Sequence, residues 1–271
     1  MKKFFIDITR FNADRNLAKY KAIQKHFNLV DNVKDSDYIL VLGGDGTLAE
    51  QVAKYKDEGK PFFPINGGTV GFHMQNIINS DGSFLSNSLK NIEEDNFQIE
   101  LMPMIKVEAI SDKGEKFEDF AFGDALTERK VPRCMRFNLC IEKEKHPMFC
   151  DTNDYLDGDG ILMCTPTGST AYYRNITNSI IPIGTECVGV APINATVNKH
   201  RLNSFILDKK SKLHITLKDV NFRTPRLVLD GKEVENYIPK EITFSLSNRY
   251  IKILYLEEFF LHNKSLSYLM S

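Results

Sequence analysis

The rhythm of apolar and polar positions changes near residue 99. Before it, short apolar runs alternate with segments of helical period. Lys3–Ile8 reads as a strand, and Asn12–Phe27 sets Leu17, Tyr20, Ile23 and Phe27 roughly on one helical face. Tyr38–Leu42 is a continuous apolar run that stops at glycines, the pattern of a parallel strand buried on both faces. Leu48–Lys56 has a helical pattern closed by Gly59 and Pro61, and Phe62–Ile65 is a further strand that again meets glycines. This alternation predicts a parallel sheet with helices on its faces.

After residue 99 the pattern is mainly that of strands. Ile105–Ile110, Arg136–Ile141, Ile161–Cys164, Leu213–Leu217, Leu227–Leu229 and Ile242–Leu246 are short and several alternate, with turns expected at Asp230-Gly231 and Ser247-Asn248. The apolar end, Tyr250–Leu256 and Phe259-Phe260, is expected to return to the first domain. The expected organisation is two closely coupled domains, α/β over 1–98 with 249–271 returning to it, and β-rich over 99–248.

Composition narrows the function. The 271 residues are 42% apolar and 26% charged, too apolar for disorder. A net charge of −1 gives no basic excess to hold a phosphate polymer, which argues against nucleic acid as a partner. No apolar run approaches the ~20 residues of a membrane span, and Phe4-Phe5-Ile6 is too short for a signal core, so a cytoplasmic protein is expected. The five cysteines (Cys134, Cys140, Cys150, Cys164, Cys187) are never spaced C-x-x-C and are expected to be reduced, buried thiols rather than a disulfide framework or metal site.

Three segments carry candidate chemistry. Leu42-Gly43-Gly44-Asp45-Gly46-Thr47 joins the buried strand to a helix through three glycines and one aspartate. Such glycines admit close approach of a ligand, and the helix N-terminus offers N–H groups suited to phosphate. An aspartate there would repel phosphate, so it points to a base, a metal ligand or a partner for a hydroxyl; the competing reading is an N-cap in a tight turn. The loop is neither a P-loop nor a G-x-G-x-x-G fingerprint. A second glycine loop, Asn66-Gly67-Gly68-Thr69-Val70-Gly71-Phe72, follows the next strand, and two such loops form a crevice at the strands' carboxyl ends. The third segment is Asp157-Gly158-Asp159-Gly160, a strand, then Thr165-Pro166-Thr167-Gly168-Ser169-Thr170-Ala171-Tyr172. Its hydroxyls suit sugar, phosphate or a base edge, with Tyr172 for stacking; otherwise they form only a hydroxyl-rich turn.

In order and spacing, GGDGT, GGTVGF and DGDGILMCTPTGSTAY resemble the NAD kinase family, ATP- or polyphosphate-dependent, across roughly residues 38–260. GGDGT alone is shared with lipid kinases and phosphofructokinase relatives; the TPTGSTAY block discriminates. The resemblance implies a Rossmann-like N-terminal domain and a β-sandwich-like C-terminal domain. It implies phosphoryl transfer from ATP or polyphosphate to the 2′-hydroxyl of the adenosine ribose of NAD, giving NADP, with Mg²⁺ or another divalent cation carried by the donor. Asp45 would be the general base, with Gly46 beside the ligand and Phe72 at the adenine end. Thr127, Glu128, Asp157, Asp159, Thr167, Thr170, Ala171 and Tyr172 would contact the dinucleotide, with Asn175 and Ala191 further along the same wall. One of the aspartates would reach a neighbouring subunit's ligand, implying a homo-oligomer, dimer or tetramer; no membrane partner is implied.

The sequence departs from that pattern in places. Asp124-Ala125-Leu126-Thr127-Glu128 stands where the family carries Asn-Glu, with Thr127 replacing the amide. Thr177-Asn178 replace a Gly-Gly, and Asn194-Ala195 lie where a Pro-His is usual. Two other functions remain open: a lipid or sphingoid-base kinase, and a catalytically weak dinucleotide-binding sensor. Against the first, the chain has the TPTGSTAY block and no amphipathic basic helix. The remaining features read plainly: His73, His146, His200 and His214 as surface or loop histidines, and Glu142–Lys145 as a solvated hairpin. Met102, Met104, Met135 and Met148 read as core or edge filling, and Asp230-Gly231 as a hairpin turn or a neighbour of the ligand.

Overall fold

The computed structural model describes residues 2–9, 13–150, 155–195 and 202–269; Asn12 and His200 lie outside them. The chain forms two compact units, 1–102 with 251–271, and 103–250.

In the first unit β1 (Lys3–Ile6), α1 (Ala13–His26), β2 (Asn28–Val30), β3 (Tyr38–Gly43), α2 (Asp45–Tyr55), β4 (Phe62–Asn66) and α3 (Ser88–Glu93) follow one another. The strands lie parallel in the order β4-β3-β1-β2. Ile39–Leu42 and all of β4 are buried, as continuous apolar runs in a covered parallel sheet must be. Phe4, Ile23, Phe27, Leu40, Phe63 and Ile65 form the core, with Phe4 meeting Phe27 edge to face at 4.9 Å. Leu17 departs from its expected place: it is exposed, and Asn16 takes the buried position beside it. Helix α2 begins at Asp45, a turn before the Leu48 that the apolar period marks, because its first turn is polar and capped by Gly44.

In the second unit come β5 (Gln98–Ser111), β6 (Lys116–Ala121), β7 (Asp124–Arg129), β8 (Met135–Lys143), β9 (His146–Cys150), β10 (Leu156–Gly158), β11 (Gly160–Cys164), α4 (Tyr172–Thr177), β12 (Cys187–Ile193), β13 (Phe205–Asp208), β14 (Ser211–Lys218), β15 (Pro225–Leu229), β16 (Lys232–Glu233) and β17 (Pro239–Tyr255). One antiparallel sheet runs β13-β12-β11-β7-β15-β16; the other contains β10-β8-β14-β17, with β9 on β8 and the β5–β6 hairpin on β17. Ile161, Met163, Val188, Val190 and Leu227 of the first sheet face Phe137, Leu139, Leu213, Ile215 and Phe244 of the second. The result is a β-sandwich. The residues of β5 up to Met102 and of β17 from Ile251 belong to the first unit, where Ile253 pairs in parallel with Phe62, and α5 (Phe260–Leu269) follows.

Two expectations are corrected. Ser247 and Asn248 make no turn: they lie inside β17, on a stretch exposed enough to tolerate polar side chains. Cys140 and Cys150 form a disulfide, and Cys134 and Cys187 are only half-buried. The Glu144-Lys145 turn, both residues at positive φ, folds β9 back on β8 and sets Cys140 opposite Cys150; spacing along the chain does not reveal that pairing. Asp230 and Gly231 do form the β15–β16 turn, at φ 48° and 76°.

Candidate active site

Strands β3 and β4 end side by side, Gly43 opposite Asn66, so both glycine loops leave the same edge of the sheet. The Gly67 N–H donates to the Gly43 carbonyl at 2.8 Å and ties them together. Gly44 caps α2 without a side-chain bond, and Asp45 is the first helical residue. Its carboxylate crosses to the second loop: Oδ2 accepts the Phe72 N–H and Oδ1 the His73 N–H, both at 2.7 Å. The N-cap reading of Asp45 is thereby overturned. Paired charge-assisted bonds fix the carboxylate's orientation. A Cβ placed on Gly44 or Gly46 would meet no described heavy atom within 4 Å, so the N-terminus of α2 faces open space. On Gly43 it would stand 2.5 Å from Thr47 Oγ1, which makes that glycine a packing requirement.

The far side of the second loop is held by the chain's end. The buried Tyr255 hydroxyl donates to the His73 carbonyl at 3.2 Å, and Lys264 Nζ donates to the carbonyls of Gly71 and Met74. Phe72 is buried, so its backbone rather than its ring reaches toward Asp45, and His73, in its loop, is buried rather than at the surface.

In the second unit the TPTGSTAY segment packs on the corner between β6 and β7. A Cβ on Gly168 would lie 2.1 Å from the Gly123 carbonyl oxygen. The Thr165 hydroxyl donates to the Phe122 carbonyl at 2.9 Å and accepts the Gly168 N–H at 3.2 Å. Ser169 Oγ donates to the Pro166 carbonyl at 2.7 Å and accepts the Ile181 N–H at 2.9 Å. Asp230 grips the same corner, accepting the N–H groups of Phe122 and Gly123 at 2.7 Å each. Beside it, burial and then the Asp230 charge push the Asp124 carboxyl up to about 7. Burial, then the charges of Glu128, Asp159 and Asp124, raise the Tyr172 phenol; alternation along β7 sets Asp124 and Glu128 on one face of the sheet.

The expected dinucleotide contacts separate. Thr127 is fully buried, sits in register between Ile161 and Leu227 of the sandwich core, and donates its hydroxyl to the Arg226 carbonyl at 3.0 Å. Strand alternation therefore turns it away from the side that carries Tyr172. Glu128 is on the Tyr172 side, where its Oε1 accepts both Nε and Nη2 of Arg226, at 2.9 and 2.6 Å. Asp159 pairs with Arg129 at 2.7 Å and accepts from Asn194 at 2.9 Å. Asp157 lies in the other sheet, on β10, paired with Arg136 at 3.0 Å. Ala191 packs with Leu162, Tyr173 and Val228 beneath α4. Thr167 is buried, Ala171 exposed, and the Thr170 hydroxyl makes only a long 3.4 Å contact with the Thr167 carbonyl. Tyr172 and Asn175 border a cavity of about 730 Å³ with Asn194, Ser204 and Phe205. No motif in the sequence marks Lys264, whereas Asp124 is traceable, since it shares a strand face with Glu128. Among the described residues, no group of three or more His, Cys, Asp or Glu side chains is placed to hold a metal ion.

The ATP-NAD kinase C-terminal domain matches residues 127–255. The chain is 28% identical over 252 residues to the NAD kinase of Finegoldia magna, covering 90% of this chain and 88% of the relative. It is 25% identical over 241 residues to that of Rickettsia typhi, covering 89% and 88%. Yeast NADH kinase complexed with NADH shares the fold with a TM-score of 0.78 at 15% identity, over 100% of this chain and 87% of that one. An NAD kinase from Archaeoglobus fulgidus in complex with ATP does so at 0.70 and 20% identity, over 98% and 99%.

Proposed function

The chain belongs to the NAD kinase family, and from that premise we propose that it phosphorylates the 2′-hydroxyl of the adenosine ribose of NAD, with ATP as donor, to give NADP. Asp45 takes the hydroxyl proton as the ribose oxygen bonds to the γ-phosphorus and the bond to the β-phosphate oxygen breaks, releasing ADP. The observation that carries this reading is the Asp45 carboxylate, fixed by two backbone N–H groups beside the open N-terminus of α2. Phosphoryl transfer asks mainly for positioning and charge stabilisation, which glycine loops and a helix N-terminus supply.

The divalent cation, Mg²⁺ in this reading, arrives with the donor phosphates as part of that substrate; polyphosphate is a second candidate donor. The α/β part, 1–98 with 249–271, supplies the chemistry, and the β-rich part, 99–248, recognises the dinucleotide. Recognition falls to the Tyr172 side: Thr170, Ala171, Tyr172 and Asn175, with Asp159 nearby. A homo-oligomer working in the cytoplasm, with Asp157 or Asp159 turned toward a second copy, completes the reading. Neither the lipid-kinase nor the sensor alternative is favoured by the relatives.

The test is incubation with NAD, ATP and Mg²⁺, with NADP measured by an NADP-specific dehydrogenase. Steady NADP formation is expected, and parallel reactions with polyphosphate decide the donor. NADP no higher than in a protein-free blank would sink the proposal.

A further inference from the structure

Asp45 is aimed by backbone amides, so whatever fixes those amides also fixes the acid. The Phe72 and His73 N–H groups belong to a tight turn in which the Met74 N–H donates to the Gly71 carbonyl at 3.2 Å. Gly71 has φ +56°, and a Cβ there would stand 2.7 Å from Asn66 Oδ1, so the turn holds one shape. Its amide side faces Asp45. The carbonyls of Gly71, His73 and Met74 face the C-terminal segment instead, and each finds a donor there.

Lys264 supplies two of those donors from one ammonium group, 190 residues further along from Met74. It is half-buried, with its Nζ 5.0 Å from the centre of the Phe260 ring, and Phe260 stacks on Tyr255 at 4.8 Å. Burial pulls the Lys264 ammonium below its ordinary range, and the Asp45 charge opposes that only in part. A half-buried ammonium that donates to two carbonyls of one loop does more than cover apolar surface.

We propose that Lys264 is a positioning residue for the phosphoryl transfer: it clamps the Gly71–Met74 turn so that the Phe72 and His73 amides hold Asp45 toward the open end of α2. The proposal rests on the reading of Asp45 as the base. It makes the C-terminal helix part of the reaction apparatus.

The experiment compares Lys264→Met, Lys264→Arg and, as a control in the same helix, Ser265→Ala, whose hydroxyl donates only to the Leu261 carbonyl. Each is assayed well below its own melting temperature. Lys264→Met is expected to lower kcat about 10- to 100-fold, with the KM values for NAD and ATP changed less than about threefold, as for a misplaced but intact catalytic group. Lys264→Arg, which keeps the charge and two donors, is expected to recover most of kcat. Ser265→Ala is expected to lower the melting temperature and leave kcat alone. Hydrogen exchange of the peptide spanning residues 67–75 gives a readout independent of turnover. Exchange at the Phe72 and His73 amides is expected to quicken by about tenfold or more in Lys264→Met and to stay slow in Lys264→Arg. Wild-type kcat in Lys264→Met, or unchanged exchange in that variant, overturns the proposal. If Lys264→Met does not fold, a Lys264→Arg protein whose kcat and exchange match Lys264→Gln overturns it equally. A wild type that makes no NADP defeats the functional reading alone, and the exchange measurement still decides the clamp.

Discussion

The two glycine-and-hydroxyl regions of this molecule look alike in sequence and are built for different ends. Beside Asp45, Gly44 and Gly46 leave open space and the one charged side chain is aimed by backbone amides. Around Gly168 the glycine is there because nothing larger fits, and the hydroxyls of Thr165 and Ser169 are bonded to backbone groups of their own fold. The segment richest in ligand-type residues is thus largely scaffolding, with Thr170, Tyr172 and Asn175 left at its outer edge. Residue type shows what a motif is capable of; only its hydrogen-bond partners show what it is free to do.

The sharpest way to break this contrast is at its first pole. Asp45→Asn is expected to cut kcat by about 10²–10⁴-fold, the usual worth of a general base, with the calorimetric Kd for NAD nearly unchanged. A variant that keeps more than half of wild-type kcat would leave Asp45 as a mere bridge between loops. At the other pole, Gly168→Ala drives a methyl into the Gly123 carbonyl and is expected to cost about 3 kcal/mol or more of stability. An unchanged thermal melt would show that the corner yields and is no scaffold.

Two neighbouring threonines divide the roles further. Thr165→Val removes the hydroxyl that bonds the Phe122 carbonyl and the Gly168 N–H in a buried corner and is expected to cost about 1–3 kcal/mol of stability with little change in NAD affinity. Thr170→Val is expected to do the reverse, weakening NAD binding by roughly 5- to 100-fold with a near-normal melt. If both variants lose stability and neither loses affinity, the whole segment is scaffold and the dinucleotide lies elsewhere.

The smallest expected effect concerns Asp124. Its carboxyl is raised to about 7 in the folded chain, against an ordinary value near 3.9 in an unfolded one. Between those values the folded state keeps a proton that the unfolded state has lost. The stability it contributes is therefore full below about pH 4, falls as pH rises, and is gone above about 7. Asp124→Asn is expected to flatten the decline in melting temperature from pH 5 to 7.5 and to leave the protein on the order of 1 kcal/mol more stable than wild type at pH 8. Parallel curves for the two proteins would mean that Asp124 is ionised throughout.

Much of the fold was legible because periodicity reports burial. The runs at Tyr38–Leu42 and Phe62–Ile65 could hardly be anything but covered parallel strands, and the alternating stretches after residue 99 became the sandwich. Ser247-Asn248 misled because polar residues mark exposure, which a strand can also have. In the site, the two glycine loops and the aspartate between the first glycines were readable from their place directly after buried strands. The orientation of Thr127 was not: one residue along β7 decides which side of the sheet a side chain joins, and an alignment drawn from the Thr-Glu pair has no means of fixing that phase. Lys264 was invisible for a different reason. Its role is defined by carbonyls some 190 residues away, and only the fold brings them to it.

In the proposed reaction Asp45 deprotonates one particular hydroxyl of NAD for phosphoryl transfer. Phosphorus NMR of the product formed from NAD and ATP tests it most directly, run with wild type, with Asp45→Asn, and with wild type on the 2′-deoxyadenosine form of NAD. Wild type is expected to give a phosphomonoester on the 2′-oxygen of the adenosine ribose, Asp45→Asn almost none at equal time, and the deoxy substrate none. A phosphate on any other oxygen, or wild-type product yield from Asp45→Asn, would contradict it.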